Sequence, residues 1–119
     1  MPDSRRLFGT AVEQQVAQHL AGQGYRILAQ QYRTPFGEVD LVCQDGDELV
    51  FVEVKARASR AYGYPEESVH SVKLKKIIRA AQAYLQRFPE AQSWRVDVVA
   101  VDHAGITHLK GVDTPDGVW

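Results

Sequence analysis

The chain has 119 residues, 45% of them hydrophobic and 24% charged, with a formal net charge of −1 at pH 7, which predicts one globular domain spanning residues 1–119. No apolar run approaches the ~20 residues needed to cross a bilayer, and the N-terminus lacks the apolar stretch of an export signal, so we expect no membrane association. The single cysteine, Cys43, allows neither an internal disulfide nor a thiolate metal cage, which is typical of a cytoplasmic protein.

The N-terminal third of the chain is predicted to form a helix and then a strand. Residues 4–23 have a helical repeat, and Gly24 lies just beyond its end, where glycine often terminates a helix. The apolar side chains that share one face of this helix are Val12, Val16, Ala17 and Leu20. Residues 25–33 predict a strand, and Thr34-Pro35-Phe36-Gly37 predicts a turn.

The middle of the chain is predicted to form a β-hairpin. Residues 39–43 are rich in β-branched side chains, and residues 49–57 form a second apolar run. Between them, Asp45-Gly46 is a dipeptide that strongly favours a tight hairpin turn.

A loop over residues 58–70 and a second helix over residues 71–88 are expected next. The helix has an apolar face, and Pro89 stops it. The side chains of that face are spaced by three and four: Leu74, Ile77, Ile78, Ala81, Leu85 and Phe88.

The last predicted elements are a central strand and an edge strand. Residues 94–102 are apolar on both faces except at Asp97, for which we expect a structural pairing with Arg95 or a backbone group. Residues 106–109 predict the edge strand. The order αβββαβ, with this additional strand, predicts an α/β fold in which a sheet is flanked by two helices.

Three side chains of the hairpin are predicted to share one face of the sheet. Alternation along the second strand places Glu53 and Lys55 on the same side. A two-residue turn pairs Asp40 with Phe51, diagonal to Glu53, and a four-residue turn pairs it with Glu53 directly. Either register brings the two carboxylates together, and like charges at that spacing need compensation. A divalent cation supplies it, and an ion pair with Lys55 is the alternative.

Glu13 lies in the middle of the apolar face of the first helix. Because a buried lone carboxylate costs several kcal/mol, it needs a partner. A structural role, as a capping acid or a partner of arginine, accounts for Glu13 by itself equally well.

Together, three acids and a lysine form the set needed for phosphodiester hydrolysis, in which carboxylates hold Mg²⁺ or Mn²⁺ and the lysine positions the nucleophile or stabilises the transition state.

The positive charges of the chain are concentrated between residues 55 and 79. This segment has seven cations and two acids, a net charge of +5 in a chain of net charge −1. Such a zone can mark a polyanion site, but a solvated helix face and a charged loop explain charge alone at least as well. The candidate nucleic-acid contacts in this segment are Arg57, Lys73, Lys76 and Arg79.

The motifs at these positions resemble the PD-(D/E)XK nuclease superfamily. The similarity rests on Glu13, Gly37-Glu38-Val39-Asp40-Leu41, Val52-Glu53-Val54-Lys55 and Arg95-Val96-Asp97-Val98-Val99. Within the superfamily the chain looks like the YraN-like family of small bacterial proteins, similar to archaeal Holliday-junction resolvases. The superfamily's motif begins with Pro-Asp, whereas Asp40 follows Val39.

The resemblance implies a restriction-endonuclease-like core and assigns roles to the four residues. Asp40 and Glu53 would be metal ligands, Lys55 the catalytic lysine, and Glu13 the helix acid that completes the site directly or through water. The expected activity is Mg²⁺- or Mn²⁺-dependent DNA cleavage, on branched or single-stranded DNA, by a chain that can form a homodimer. The rival expectations are a non-catalytic module that binds nucleic acid or protein on the same fold, and a purely structural scaffold.

Overall fold

The computed structural model describes residues 4–56, 71–88 and 93–112, which form two helices and five strands. Their bounds in chain order are α1 Ser4–Gly22, β1 Arg26–Thr34, β2 Gly37–Asp45, β3 Glu48–Ala56, α2 Ser71–Arg87, β4 Ser93–Asp102 and β5 Gly105–Leu109. This order confirms the predicted αβββαβ core and its additional edge strand. The predicted loop over residues 58–70 lies outside the described residues.

The five strands form one mixed sheet in the order β1-β2-β3-β4-β5. All neighbours are antiparallel except β3 and β4, which are parallel. A parallel pair requires a crossover connection, and α2 lies in the segment between these two strands. The position of β4 between β3 and β5 confirms the central strand expected from its apolar sequence.

Helix α1 covers one face of the sheet. Its buried side chains Val16 and Leu20 pack with Leu41, Val50 and Val52 of β2 and β3. Val16 and Leu20 were predicted to share the apolar face of this helix, and the structure confirms that pattern. Neither described helix is apolar enough over its length to span a membrane.

The end of α1 depends on a glycine. The Gly24 N–H donates to the carbonyl of Ala21, and the Tyr25 N–H donates to the carbonyl of Leu20. These two bonds form a Schellman motif, which requires the left-handed conformation that Gly24 adopts, with φ of 97°. Tyr25 and Leu20 are both buried in the core beneath α1, so the chain enters β1 in a fixed direction.

Helix α2 covers the opposite face. Leu74, Ile77 and Ala81 pack with Phe51 of β3 and Val96 of β4 in a second core. The hairpin of β2 and β3 is therefore covered by a helix on each face.

Asp97 has the structural role that its place in an apolar strand predicted. It is fully buried, and the Arg95 Nε atom lies 3.0 Å from its Oδ1 atom. The Nε2 atom of His108 is 2.7 Å from Asp97 Oδ2, and the Gly111 N–H donates to Oδ1. Arg95 also contacts Glu48 at 2.6 Å. This network joins β3, β4 and the chain after β5.

We expect Asp97→Asn to lower the free energy of unfolding by about 3 kcal/mol, because it leaves the largely buried Arg95 without its buried counter-charge. Urea unfolding measures the change. Asp45→Asn is the matched control: Asp45 also contacts Arg95, but its side chain is 42% exposed, so a loss of less than about 1 kcal/mol is expected. Equal losses in the two variants would contradict a dominant role for the buried carboxylate.

Candidate active site

The hairpin of β2 and β3 places Asp40 and Glu53 side by side. The paired residues run from Asp45↔Glu48 to Leu41↔Val52, and one further step of this register sets Asp40 opposite Glu53. This pairing is the one predicted for a four-residue turn, but the turn itself has only two residues, Gly46 and Asp47. Both side chains line one cavity of about 270 Å³, which we call the site cavity, together with Gly37, Glu38, Lys76 and Ile77.

Asp40 occupies the point where β2 separates from β3. The backbone ladder between the strands ends at Leu41↔Val52, and beyond it the Val54 N–H donates to Asp40 Oδ2 at 2.7 Å. The side-chain oxygen therefore takes the place of a backbone acceptor, in a short hydrogen bond. Asp40 lines the site cavity from this position, where it is held by the backbone of β3.

Asp40 holds its proton at neutral pH. Its pKa is raised from the ordinary value of 3.8 to about 8, first by burial and then by the negative charge of Glu53. The charge of Glu13 and a hydrogen bond with Glu53 add to this rise, whereas the Val54 N–H opposes it. A carboxyl group whose pKa is raised by burial and by a neighbouring carboxylate is a recurrent feature of functional sites.

Lys55 is the cationic residue that lies next to Glu53. Its Nζ atom lies 3.8 Å from Glu53 Oε1, and the side chains of the two residues are 23% and 7% exposed, respectively. The ammonium group thus lies beside the carboxylate pair and is partly open to solvent, as alternation along β3 predicted. At this place it offers a compact positive charge to an incoming anion.

Glu13 reaches the site from α1. Its charge contributes to the raised pKa of Asp40, so the two carboxyl groups are electrostatically coupled. Its partner is an amide: Gln31 Nε2 donates to Glu13 Oε2 at 3.0 Å. The sequence had left a capping or arginine-paired role open for Glu13, and the structure instead connects it with a residue of β1 and with Asp40.

Gln31 is the part of the site that the sequence did not reveal. Among the described residues it is the one residue other than glycine with a positive φ, 52°. Such a conformation costs of the order of 1–3 kcal/mol and is often found at functional sites. In the ladder of β1 and β2, Gln30↔Leu41 and Tyr32↔Val39 flank it, so Gln31 lies opposite Asp40.

The irregularity at Gln31 changes the face of the sheet toward which the side chains of β1 and β2 point. Ala29 and Tyr32 both pack in the core beneath α2, as do their partners Val42 and Val39. In a regular strand, residues three positions apart face opposite sides. Both strands therefore reverse their alternation between these pairs, at Gln31 and Asp40.

Gly37 brings the start of β2 against α2. A Cβ atom at this position would lie 3.0 Å from the carbonyl oxygen of Lys76 and 3.2 Å from its Cβ atom. Only glycine allows this approach without displacing the helix. The contact brings Lys76 next to Gly37 in the lining of the site cavity.

Comparison with known proteins assigns the family. The profile of the uncharacterised protein family UPF0102 matches residues 12–101. The chain belongs to this family. UPF0102 proteins similar to it occur in Moorella thermoacetica, 45% identical over 120 residues that cover 100% of both chains, and in Symbiobacterium thermophilum, 48% identical over 100 residues that cover 83% of this chain and 84% of that one. The UPF0102 protein of Persephonella marina is 39% identical over 103 residues, which cover 86% of this chain and 89% of that one.

The donors of this UPF0102 site fit a hard divalent cation. Asp40 and Glu53 supply carboxylate oxygens, and Mg²⁺ is usually held by one or two carboxylates, with water and substrate phosphates as its other ligands. Across the described residues, no three His, Cys, Asp or Glu side chains come together as a metal-binding group. Asp40, Glu53 and Glu13 do not form such a group, and the predicted role of Glu13 in completing the site, directly or through water, stays a prediction.

The four predicted nucleic-acid contacts fall in different places. Lys76 is exposed and lines the site cavity, so it lies closer to the carboxylates than the helix pattern alone indicated. Arg79 is exposed one turn further along α2 and lines a second cavity. Arg57 and the side chain of Lys73 lie outside the described part of the chain.

Proposed function

We propose that this UPF0102 protein is a metal-dependent endonuclease that hydrolyses phosphodiester bonds in DNA. One observation carries the proposal: two adjacent carboxyl groups, Asp40 and Glu53, line one cavity with Lys76, and Lys55 lies beside them. Asp, Glu and Lys in this arrangement support the resemblance to the PD-(D/E)XK superfamily and to archaeal Holliday-junction resolvases. The αβββαβ core is consistent with it.

Asp40 and Glu53 would hold Mg²⁺ or Mn²⁺ after Asp40 loses its proton. When bound, the ion supplies Lewis acidity and lowers the pKa of water, the two effects that phosphodiester hydrolysis at neutral pH needs. The Val54 N–H fixes the Asp40 carboxylate, so this ligand is oriented before any cation arrives. Preorganised ligands of this kind are favourable for catalysis because they do not have to reorganise during the reaction.

The cations have separate tasks in this proposal. Lys55, 3.8 Å from Glu53, orients the attacking water and stabilises the negative charge that builds on the phosphate oxygens. Lys76, which lines the site cavity, attracts a phosphate into it. Water adds to phosphorus as the bond to the leaving oxygen breaks, which leaves a phosphate monoester and a hydroxyl group.

Glu13 and Gln31 position Asp40 rather than contact DNA. The hydrogen bond between them fixes the helix acid, and the charge of that acid tunes the pKa of Asp40. The substrate proposed is branched or single-stranded DNA, and a homodimer would supply the two sites that a four-way junction requires. A cytoplasmic location completes the proposal, in keeping with the buried free thiol of Cys43.

The test is cleavage of supercoiled plasmid, single-stranded DNA and a four-way junction in the presence of Mg²⁺ or Mn²⁺. Cleavage of any of these by the wild-type protein, and its loss with EDTA, is the expected result. Binding of the cation by calorimetry without cleavage of any substrate would instead favour the non-catalytic binding module.

Lys55→Ala is expected to lower the cleavage rate by roughly 100- to 1,000-fold, the usual cost of removing one group that stabilises transition-state charge. Lys75→Ala is the matched control, since Lys75 is an exposed cation of α2 that does not line the site cavity. We expect it to retain nearly all activity. Cleavage that survives Lys55→Ala unchanged would assign the activity to a contaminant and reject the proposal.

A further inference from the structure

Phe36 is the most exposed of the large hydrophobic residues that the structure describes. It lies in the turn between β1 and β2, and 57% of its surface is accessible. An exposed phenylalanine is unfavourable in water unless a partner covers it. Single exposed apolar residues need no explanation in general, so its surroundings decide whether this one has a function.

The turn holds Phe36 in a fixed position. The hydroxyl oxygen of Thr34 accepts hydrogen bonds from the Phe36 and Gly37 N–H groups, both at 3.1 Å, and it donates to the Gly37 carbonyl at 2.9 Å. Pro35 between them restricts φ. Gly37 is in turn packed against the Lys76 backbone. The ring is thus presented from a rigid turn, which lowers the entropy lost when a ligand binds to it.

Phe36 forms one wall of a cavity of about 280 Å³, which we call the Phe36 cleft. Its other lining residues all belong to α2 and are Arg79, Gln82, Ala83 and Gln86. The cleft therefore combines an aromatic face, one guanidinium group and two amides. Its volume is at the small end of the range for ligand pockets, which suits a single planar group.

The Phe36 cleft adjoins the site cavity. Phe36 and Gly37 are consecutive, and each lines one of the two cavities. Lys76 and Arg79 are three residues apart on α2, about 4.5 Å along the helix axis, and each lines one cavity. Neither makes an ion pair with any residue in the described ranges. Two cations are thus presented to solvent along the line that joins the cavities.

We propose that the Phe36 cleft binds one unpaired nucleotide next to the phosphate held in the site cavity. The base stacks on Phe36, Arg79 contacts the backbone phosphate, and the amides of Gln82 and Gln86 meet the polar edge of the base. Aromatic stacking with a nearby cation is how proteins bind single-stranded nucleic acid. This inference rests on the proposed nuclease function. It explains why such a nuclease would prefer DNA with unpaired bases.

Binding of a fluorescently labelled oligothymidylate, measured in EDTA, tests the cleft without requiring cleavage. Phe36→Ala is expected to weaken binding roughly 5- to 100-fold, and Phe36→Trp to restore it. Phe88→Ala is the matched control, because Phe88 is an exposed aromatic residue, 39% accessible, that does not line the cleft. Arg79→Ala should lower the slope of log affinity against log salt by about 1, whereas Phe36→Ala should leave it unchanged.

An oligonucleotide with abasic sites separates stacking from other effects. If the base stacks on Phe36, the abasic strand binds wild type and Phe36→Ala with nearly equal affinity. The proposal is overturned if the wild type does not bind oligothymidylate. It is also overturned if Phe36→Ala weakens the affinity for the normal and the abasic strand equally. A changed oligomeric state in Phe36→Ala with unchanged affinity overturns it too, because this would indicate a protein contact.

The same variants distinguish failure of the cleft from failure of the nuclease. If the protein cleaves plasmid but Phe36→Ala does not change the affinity for oligothymidylate, only the proposal for the cleft is rejected. Phe36-dependent binding of single strands, without cleavage of any substrate by the wild type, rejects only the nuclease.

Discussion

Asp40→Asn is expected to abolish both binding of the divalent cation and DNA cleavage, while the fold becomes more stable in the absence of the cation. The asparagine retains an oxygen that can accept the hydrogen bond of the Val54 N–H, so local structure is preserved. It removes a charge, and the loss of a direct ligand should lower activity by at least roughly 100-fold, the upper end of the effect of removing only an outer partner of a ligand.

The gain in stability follows from the crowding of negative charge. Burial and the charge of Glu53 oppose ionisation of Asp40, so above its pKa of about 8 the folded protein carries an unfavourable charge. A neutral amide relieves that cost. Thermal unfolding above pH 8 without divalent ions should therefore show a higher Tm for Asp40→Asn, by roughly 4 °C for each kcal/mol gained.

Glu38→Gln is the matched control for this variant. Glu38 lines the same cavity, but it is exposed and lies 3.5 Å from Arg33. It should retain binding of the cation and most of the activity. Undiminished binding of Mg²⁺ by Asp40→Asn would contradict the assignment of Asp40 as a ligand, whatever the effect on cleavage.

The face shared by Asp40, Glu53 and Lys55 was predictable because it depends on local geometry. Pleating fixes the alternation of side chains along β3, and a hairpin with an even turn keeps partners on the same face. The choice between the two registers was not predictable, because Asp45-Gly46 is compatible with more than one turn. The structure has Asp45 paired with Glu48, which places Asp40 directly opposite Glu53.

The role of Gln31 could not be predicted, because its conformation is contrary to local preference. A glutamine with φ of 52° is disfavoured on its own, so the surrounding structure must impose it. The hydrogen bond to Glu13 spans 18 positions of sequence. A polar pair, Gln30-Gln31, in the middle of a strand was the only sign of it, and that sign is compatible with an ordinary solvated edge.

The α2 residues that line the two cavities could not be predicted, for a different reason. The approach of Gly37 to Lys76 depends on how a helix packs after a crossover, which no local pattern encodes. Periodicity correctly placed Lys76 and Arg79 off the apolar stripe. It did not show that one of them faces the carboxylates and the other faces Phe36.

Binding of Mg²⁺ is expected to release about one proton at pH 7 and to tighten about tenfold for each pH unit up to about pH 8. The cation requires ionised ligands, and Asp40 is protonated below its pKa of about 8. Binding must therefore expel this proton, and the cost disappears once the pH exceeds the pKa. Calorimetry in two buffers with different ionisation enthalpies measures the number of protons released.

Glu13→Gln is the matched variant for the pH dependence. The charge of Glu13 helps to raise the pKa of Asp40, so its removal should move the plateau of cation affinity to lower pH and reduce the protons released at pH 7. Its hydrogen bond with Gln31 can be kept, because the amide oxygen still accepts. Affinity for Mg²⁺ that does not change between pH 6 and 8 would contradict the raised pKa of Asp40.

The same proton gives the apo protein a stability that depends on pH in a defined direction. Asp40 ionises near 3.8 when unfolded and near 8 when folded, so between these values the folded state binds one proton more. Stability then falls as the pH rises from about 4 to about 8, by at most about 1.4 kcal/mol per unit, and levels off above. Other carboxylates also make the free energy of unfolding depend on pH, but their contribution is the same in the wild type and in Asp40→Asn. The difference between the two unfolding free energies isolates Asp40, and a difference independent of pH would show that its proton is not held by the fold.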